Sequence, residues 1–188
     1  MARQPHQEAE LSPSKLDLLA GWLPAQPWFV GPGPDLERVA AYRFVDPDGE
    51  VGIETLLVRS GGAVYQVPLT YRAAALADEG ALSVGTLTHS VLGPRWVYDA
   101  TTDPVYIAEL IRVIREADNE AALSSGNPSM SVRGSGTALV ANAAGQTVRI
   151  ARVLDDAHDL DTARALGLLT GTWSLDGEAR ETVLAVLR

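Results

Sequence analysis

The sequence predicts an α+β protein, an antiparallel meander of strands set between helices. Three observations carry this. Strand-forming runs between positions 38 and 99 are punctuated by strong turn signals. A capped, amphipathic helical pattern follows at 104–117. A shorter helical pattern precedes the strands at 14–23.

Residues 1–13 are polar, carry Glu8 and Glu10, and read as a disordered lead-in. They hold no apolar run of signal-peptide length, and nothing in the chain approaches the ~20 apolar residues of a membrane span. In the first helix, Leu16, Leu19, Ala20 and Leu23 recur at helical spacing, Ser14 can cap the start and Pro24 stops it. Residues 26–34 hold three further prolines and two glycines and cannot be helical, so Trp28 and Phe29 sit on a rigid irregular loop. Strands are expected at 38–46, 51–59 and 63–71, separated by Pro47-Asp48-Gly49 and Ser60-Gly61-Gly62. Pro68 has no N–H to donate, which suggests an edge or a bulge. Two more strands are expected at 82–92 and 95–99.

The helix at 104–117 has Asp103 as N-cap and Pro104 at its first position. Ile107, Leu110, Ile111 and Ile114 form its apolar stripe. Around residue 125 the composition turns linker-like. Beyond it, 130–142 and 147–154 read as a β-hairpin, and 161–168 and 177–187 as helices.

Composition excludes several classes of function. With no cysteine there is no disulfide, thiolate nucleophile or Cys-ligated metal. The formal net charge of -9, without any basic run, argues against nucleic acid and anionic membranes as partners. Lys15 is the sole lysine. Residues 155–161 concentrate Asp155, Asp156, His158, Asp159 and Asp161, but the spacing matches no metal motif, and an acidic turn capping the next helix accounts for them better. No Gly-x-Ser-x-Gly elbow organises a Ser-His-Asp triad. Gly134-Ser135-Gly136 is not a full phosphate-binding motif and reads better as a strand start. Asp103 is explained as a helix cap; Asp99 is either a turn former or part of a carboxylate pair.

Three blocks occur in order: Leu23-Pro24-Ala25-Gln26-Pro27-Trp28-Phe29, Tyr65-Gln66-Val67-Pro68-Leu69-Thr70-Tyr71-Arg72, and Tyr98-Asp99-Ala100-Thr101-Thr102-Asp103-Pro104. Together they resemble the N-terminal cap domain of bacterial maltokinases and related sugar or aminosugar kinases, over roughly residues 16–117. The resemblance implies a curved antiparallel β-sheet flanked by helices that carries none of the phosphoryl-transfer residues. The first block departs from the family's Arg-Trp-Phe-Gly-Gly-Lys-Gly-Arg: Pro27, Val30, Pro32 and Pro34 remove its basic character. The C-terminal β-hairpin plus helices resembles a kinase N-lobe fragment. The family's phosphate-gripping lysine falls near Arg149, where arginine is not an equivalent group.

The domain expectation is therefore a lead-in at 1–13, a cap-like domain at 14–125 and an N-lobe-like appendage at 126–188, packed on the cap. The 188 residues leave no room for a kinase C-lobe, so no kinase activity, no cofactor and no metal are expected. The expected function is that of a cytoplasmic, non-catalytic accessory or regulatory protein of α-glucan, maltose or trehalose metabolism. Its expected partners are an enzyme of that metabolism, a truncated kinase or a second copy of the chain. The candidate interaction surface is Trp28 and Phe29, with an edge formed by Pro68, Tyr71 and Arg72; Arg72 and Asp99 are alternatively a structural pair. A second expectation is a sensor of a sugar or nucleotide, with Arg149, Tyr98 and Asp99 as candidate ligand-binding residues. A cryptic enzyme comes third.

Overall fold

The turn-punctuated meander forms as the sequence predicts. In the computed structural model, which describes residues 10–33, 35–122, 130–137, 146–154 and 160–188, β2 (Glu37–Val45), β3 (Gly52–Ser60) and β4 (Ala63–Arg72) pair antiparallel in sequence order. β5 (Ser83–His89) and β6 (Gly93–Asp99) extend the sheet beyond β4. A two-residue strand, β1 (Leu11–Ser12), closes the order β1-β5-β6-β4-β3-β2. Leu11 and Ser12 lie in the stretch expected to be a disordered lead-in, yet they pair with His89 and Thr88; residues 1–9 lie outside the described residues.

β3 and β4 are buried along nearly their whole length because both faces of this sheet are covered. On one face, Leu56, Val58, Tyr65, Val67 and Leu69 pack with Leu19 and Leu23 of the first helical segment, where α1 (Lys15–Trp22) runs on into a 3-10 turn (Leu23–Ala25). On the other, Tyr42, Ile53, Leu57 and Val64 meet Tyr106, Leu110, Val113 and Ile114 of α2 (Pro104–Glu116). The side chain of Ser14 caps α1 through Asp17 N, and that of Asp103 caps α2 through Val105 N.

The C-terminal part departs from expectation. Residues 167–187 hold no helix. β9 (Gly167–Leu175) and β10 (Glu178–Leu187) form a hairpin, and the sheet order is β7-β9-β10-β8, with β7 (Ser131–Gly134) and β8 (Val148–Ile150) on opposite edges. The helices expected at 161–168 and 177–187 are thus replaced by a turn leading into β9 and by β10, and among the described residues β7 and β8 pair with β9 and β10 and not with each other; the rest of the expected hairpin, residues 138–145, lies outside the described residues. The physical reason is legible afterwards. Asp176 and Gly177 both have positive φ (50° and 86°), the two-residue hairpin turn that Asp-Gly favours. Along β9, Gly167, Leu169, Gly171 and Trp173 point inward while Thr170, Thr172 and Ser174 do not. That is the two-residue period of a pleated strand, and it outweighs a run of leucines read as helical.

Residues 148–154 bond to both sheets. Residues 148–150 pair with β10, and Ala151 N donates to Leu184 O. The same chain then crosses to β4: Gln66 N donates to Arg152 O (2.9 Å) and Leu154 N to Val64 O (2.8 Å). α2 fills the space between, its apolar face meeting Leu169, Trp173 and Leu184 as well as the first sheet. No helix among the described residues is long and apolar enough to cross a membrane.

β7 and the residues after it approach the end of α2 closely through backbone. Ala117, at φ 55°, ends the helix in a left-handed turn, and Gly136 N and Thr137 N donate to Ile114 O and Arg115 O. A Cβ on Gly134 would lie 2.0 Å from Val113 O. Gly134→Ala is therefore expected to cost on the order of 3 kcal/mol, because the clash is with backbone that cannot move alone. Urea unfolding checks this; a loss within 0.5 kcal/mol, roughly the range of a neutral surface substitution, contradicts the packing.

Candidate functional site

The polar residues of the three sequence blocks converge at the junction of β4, β6 and the crossing segment. β4 passes from one neighbour to another here: residues 69–72 pair with β6, and residues 64–66 with 152–154. Pro68 sits between. Alternate residues of a strand direct N–H groups to the same edge. Since Gln66 N faces Arg152, the missing N–H of Pro68 falls at the seam. Pro68 is buried and interior to the sheet, between β3 and β6, not on the edge that its sequence suggested.

Asp103 and Asp99 each take an arginine. Arg72 grips Asp103 bidentately (2.8 and 2.7 Å), and Thr70 Oγ1 donates to the same carboxylate at 2.8 Å. The Asp103 side chain is fully buried. Burial pushes its carboxyl up, but hydrogen bonds from Arg72, Thr70 and Val105 N outweigh this and hold it below the ordinary aspartate range. The alternative pairing of Arg72 with Asp99 is not formed. Asp99 caps the short turn at Ala100–Thr102 and accepts from Arg152 Nη2 at 2.5 Å; Arg152 also donates to Thr101 Oγ1 at 2.8 Å. The guanidinium of Arg152 lies over the Trp28 ring, 4.9 Å from its centroid.

Trp28 and Phe29 are half-buried, and their rings face inward. Trp28 stands against Trp22 and Tyr65 (6.0 and 6.1 Å), and Phe29 against Tyr65 (4.8 Å). Val30 N donates to the Tyr65 hydroxyl at 3.2 Å. Tyr71 donates to Glu54 Oε2 at 3.2 Å, and Glu54 also binds Lys15 and Arg43. Burial pushes the Tyr71 phenol well up, and the Glu54 carboxylate adds to the effect. Tyr98 is buried and its hydroxyl accepts from Leu76 N at 2.9 Å. Arg149 is exposed on β8, opposite Val186. The structure thus joins Asp99 to Arg152, three residues along from the cation the sequence singled out.

Gly134-Ser135-Gly136 does not present N–H groups to a phosphate. Those of residues 134–136 donate to the carbonyls of Asp118, Leu168 and Ile114. Among the described residues no group of three His, Asp or Glu side chains could hold a metal ion; of the 155–161 run, residues 155–159 lie outside them. An open cleft of about 590 Å³ runs beside α1, lined by Asp17, Asp35, Leu36, Glu37 and Arg59 among others. Arg59 is tied to Glu37 (2.6 Å) and, across to the β9–β10 turn, to Asp176 (2.9 Å). These carboxylates and the guanidinium can bind hydroxyl groups.

Residues 22–103 match the family model of the maltokinase N-terminal cap domain. No curated protein matches the chain. The cap match contains Trp28, Gln66, Arg72, Asp99 and Asp103, so the residues that resemble the family are those that meet at this junction. Sequence reasoning missed Gln66 and Arg152. A glutamine inside an otherwise apolar buried strand was the available signal for the first; Arg152 carried none.

The Asp103 carboxyl, lower in the folded chain than in the unfolded one, contributes its stability in full at neutral pH. That contribution fades as pH falls from about 3.9 through the lower folded value. Asp103→Asn is expected to cost about 3 kcal/mol at pH 7, by stranding Arg72, and to flatten the acid limb of stability against pH. Urea titrations at pH 7 and pH 3 test this. A variant as stable as the native chain at pH 7 contradicts it.

Proposed function

We propose that this is a non-catalytic accessory protein of α-glucan, maltose or trehalose metabolism, acting through contact with another protein. The observation that carries the reading is where the cap's polar residues go. Arg72, Asp99, Asp103 and Gln66 bind to one another's elements or to the crossing segment 151–154, and so serve as joints. A joint in which each aspartate is bound by an arginine leaves neither carboxylate free as an acid, base or nucleophile. What remains on the outside includes apolar side chains such as Val30 (75% exposed) and Val91 (77% exposed). The partner would be an enzyme of that metabolism, a kinase chain with a catalytic lobe, or a second copy.

A second reading rests on the cleft beside α1, whose carboxylates and Arg59 suit a polyhydroxylated ligand such as a disaccharide. In this reading the protein senses a sugar. The nucleotide version has less support, since Arg149 stands on an edge strand and Asp99 is taken up by Arg152.

Affinity capture with the tagged full-length chain from its native cytoplasm, read by mass spectrometry against a tag-only control, separates the two. The accessory reading predicts enrichment of an enzyme that processes α-glucan, maltose or trehalose. Absence of any such enzyme, together with a thermal shift on adding maltose or trehalose, contradicts it and favours the sensor.

A further inference from the structure

The β5–β6 hairpin carries a histidine in an unusual structural role. β5 ends at His89 and β6 begins at Gly93, which are register partners, so Ser90, Val91 and Leu92 form the whole turn. Gly93, at φ 73°, supplies the left-handed residue that such three-residue turns require. Val91 and Leu92 are 77% and 56% exposed, two large apolar side chains adjacent at a projecting tip. Their backbone N–H groups both donate to one atom, His89 Nδ1, each at 3.1 Å. The third N–H of the turn, Ser90 N, donates to Glu10 O at 2.9 Å, and Glu10 N donates to Ser90 Oγ at 3.0 Å. The order of the turn at Val91 and Leu92 thus depends on a lone pair at Nδ1.

That lone pair exists only in the neutral ring protonated at Nε2; the imidazolium is a donor at both nitrogens. Asn or Asp would serve this geometry over a wider pH range. Their Oδ1 stands as many bonds from Cα as Nδ1 does, and it accepts from the N–H two residues on in the same manner. Histidine at this position makes the arrangement depend on the protonation state of the ring. Among the described residues, the charged groups on the neighbouring elements are Glu10 beside β1 and, on β6, Arg95 and, at the far end, Asp99, which is bound to Arg152. α1, which packs on β5 at Gly85, adds Lys15, bound to Glu54, and Asp17, bound to Ser14.

We propose that His89 makes this hairpin tip a pH-responsive element. The neutral imidazole holds Val91 and Leu92 out as an ordered apolar point, and protonation at Nδ1 releases them. The idea is independent of the accessory and sensor readings, because it concerns the presentation of the tip and not what meets it.

Amide exchange of the full-length chain by ¹⁵N NMR between about pH 8 and pH 5.5, a window that leaves carboxylates ionised, tests it in the native protein and in His89→Asn. At pH 8 the His89 ring should show Nδ1 unprotonated. As pH falls, protection of the Val91 and Leu92 amides in the native chain should drop about tenfold relative to His89→Asn at the same pH, as expected for losing two weak hydrogen bonds. Protection that tracks His89→Asn at every pH overturns the proposal. A proton on Nδ1 at pH 8 also overturns it, and that observation needs no variant.

Discussion

The arrangement depends on one buried side chain, that of Gln66. Its Nε2 donates to Ala151 O (2.8 Å) and Leu184 O (3.0 Å), and its Oε1 accepts from the Tyr42 hydroxyl (3.0 Å). Its backbone N–H adds the bond to Arg152 O. One residue of β4 therefore touches β2 of its own sheet, β10 of the other and the segment crossing between them. A buried amide is costly unless its partners are present, and here each of them lies on an element that would otherwise slide. The apolar clusters supply the bulk of the stabilisation without directionality. Gln66 supplies register.

Beside it, the two aspartate–arginine pairs extend the same logic. Asp99 and Arg152 bind the end of β6 to the crossing segment, and Arg152 covers Trp28 on the loop after α1. Asp103 and Arg72 bind the start of α2 to the end of β4. Buried ion pairs of this kind add little net stability over apolar packing, but they penalise the wrong arrangement heavily. The part of the chain that matches the cap family, 22–103, thus reaches outside its own limits, to residues 151–154 and 184.

The sequence exposed the first sheet because its strands are short, β-rich and separated by turn residues with a mechanism: Pro47-Asp48-Gly49, Ser60-Gly61-Gly62. It exposed α2 through Asp103, Pro104 and a clean apolar stripe. The α+β class followed, mostly β in the event. It misled in the C-terminal part because leucine-rich and alanine-rich runs score as helix, while the deciding signals were the Asp176-Gly177 turn and the glycines of β9. Gly171 is needed where a Cβ would stand 2.6 Å from Leu184 Cδ1, a constraint set by a partner strand and invisible locally. The candidate site was legible as a list of residues and not as a geometry. Trp28, Arg72 and Asp99 were singled out, yet their partners Arg152 and Asp103 depended on which strand β4 meets after Pro68. Tyr71 and Arg72 looked like an open edge for the same reason.

The most direct test of this account is the equilibrium unfolding of Gln66→Met, which keeps the side-chain length and removes all three side-chain hydrogen bonds. With Ala151 O, Leu184 O and the Tyr42 hydroxyl each losing a buried partner, the account predicts a loss of roughly 3 kcal/mol in urea. A loss below about 0.5 kcal/mol would contradict it, and would mean that apolar packing alone holds the two sheets in register.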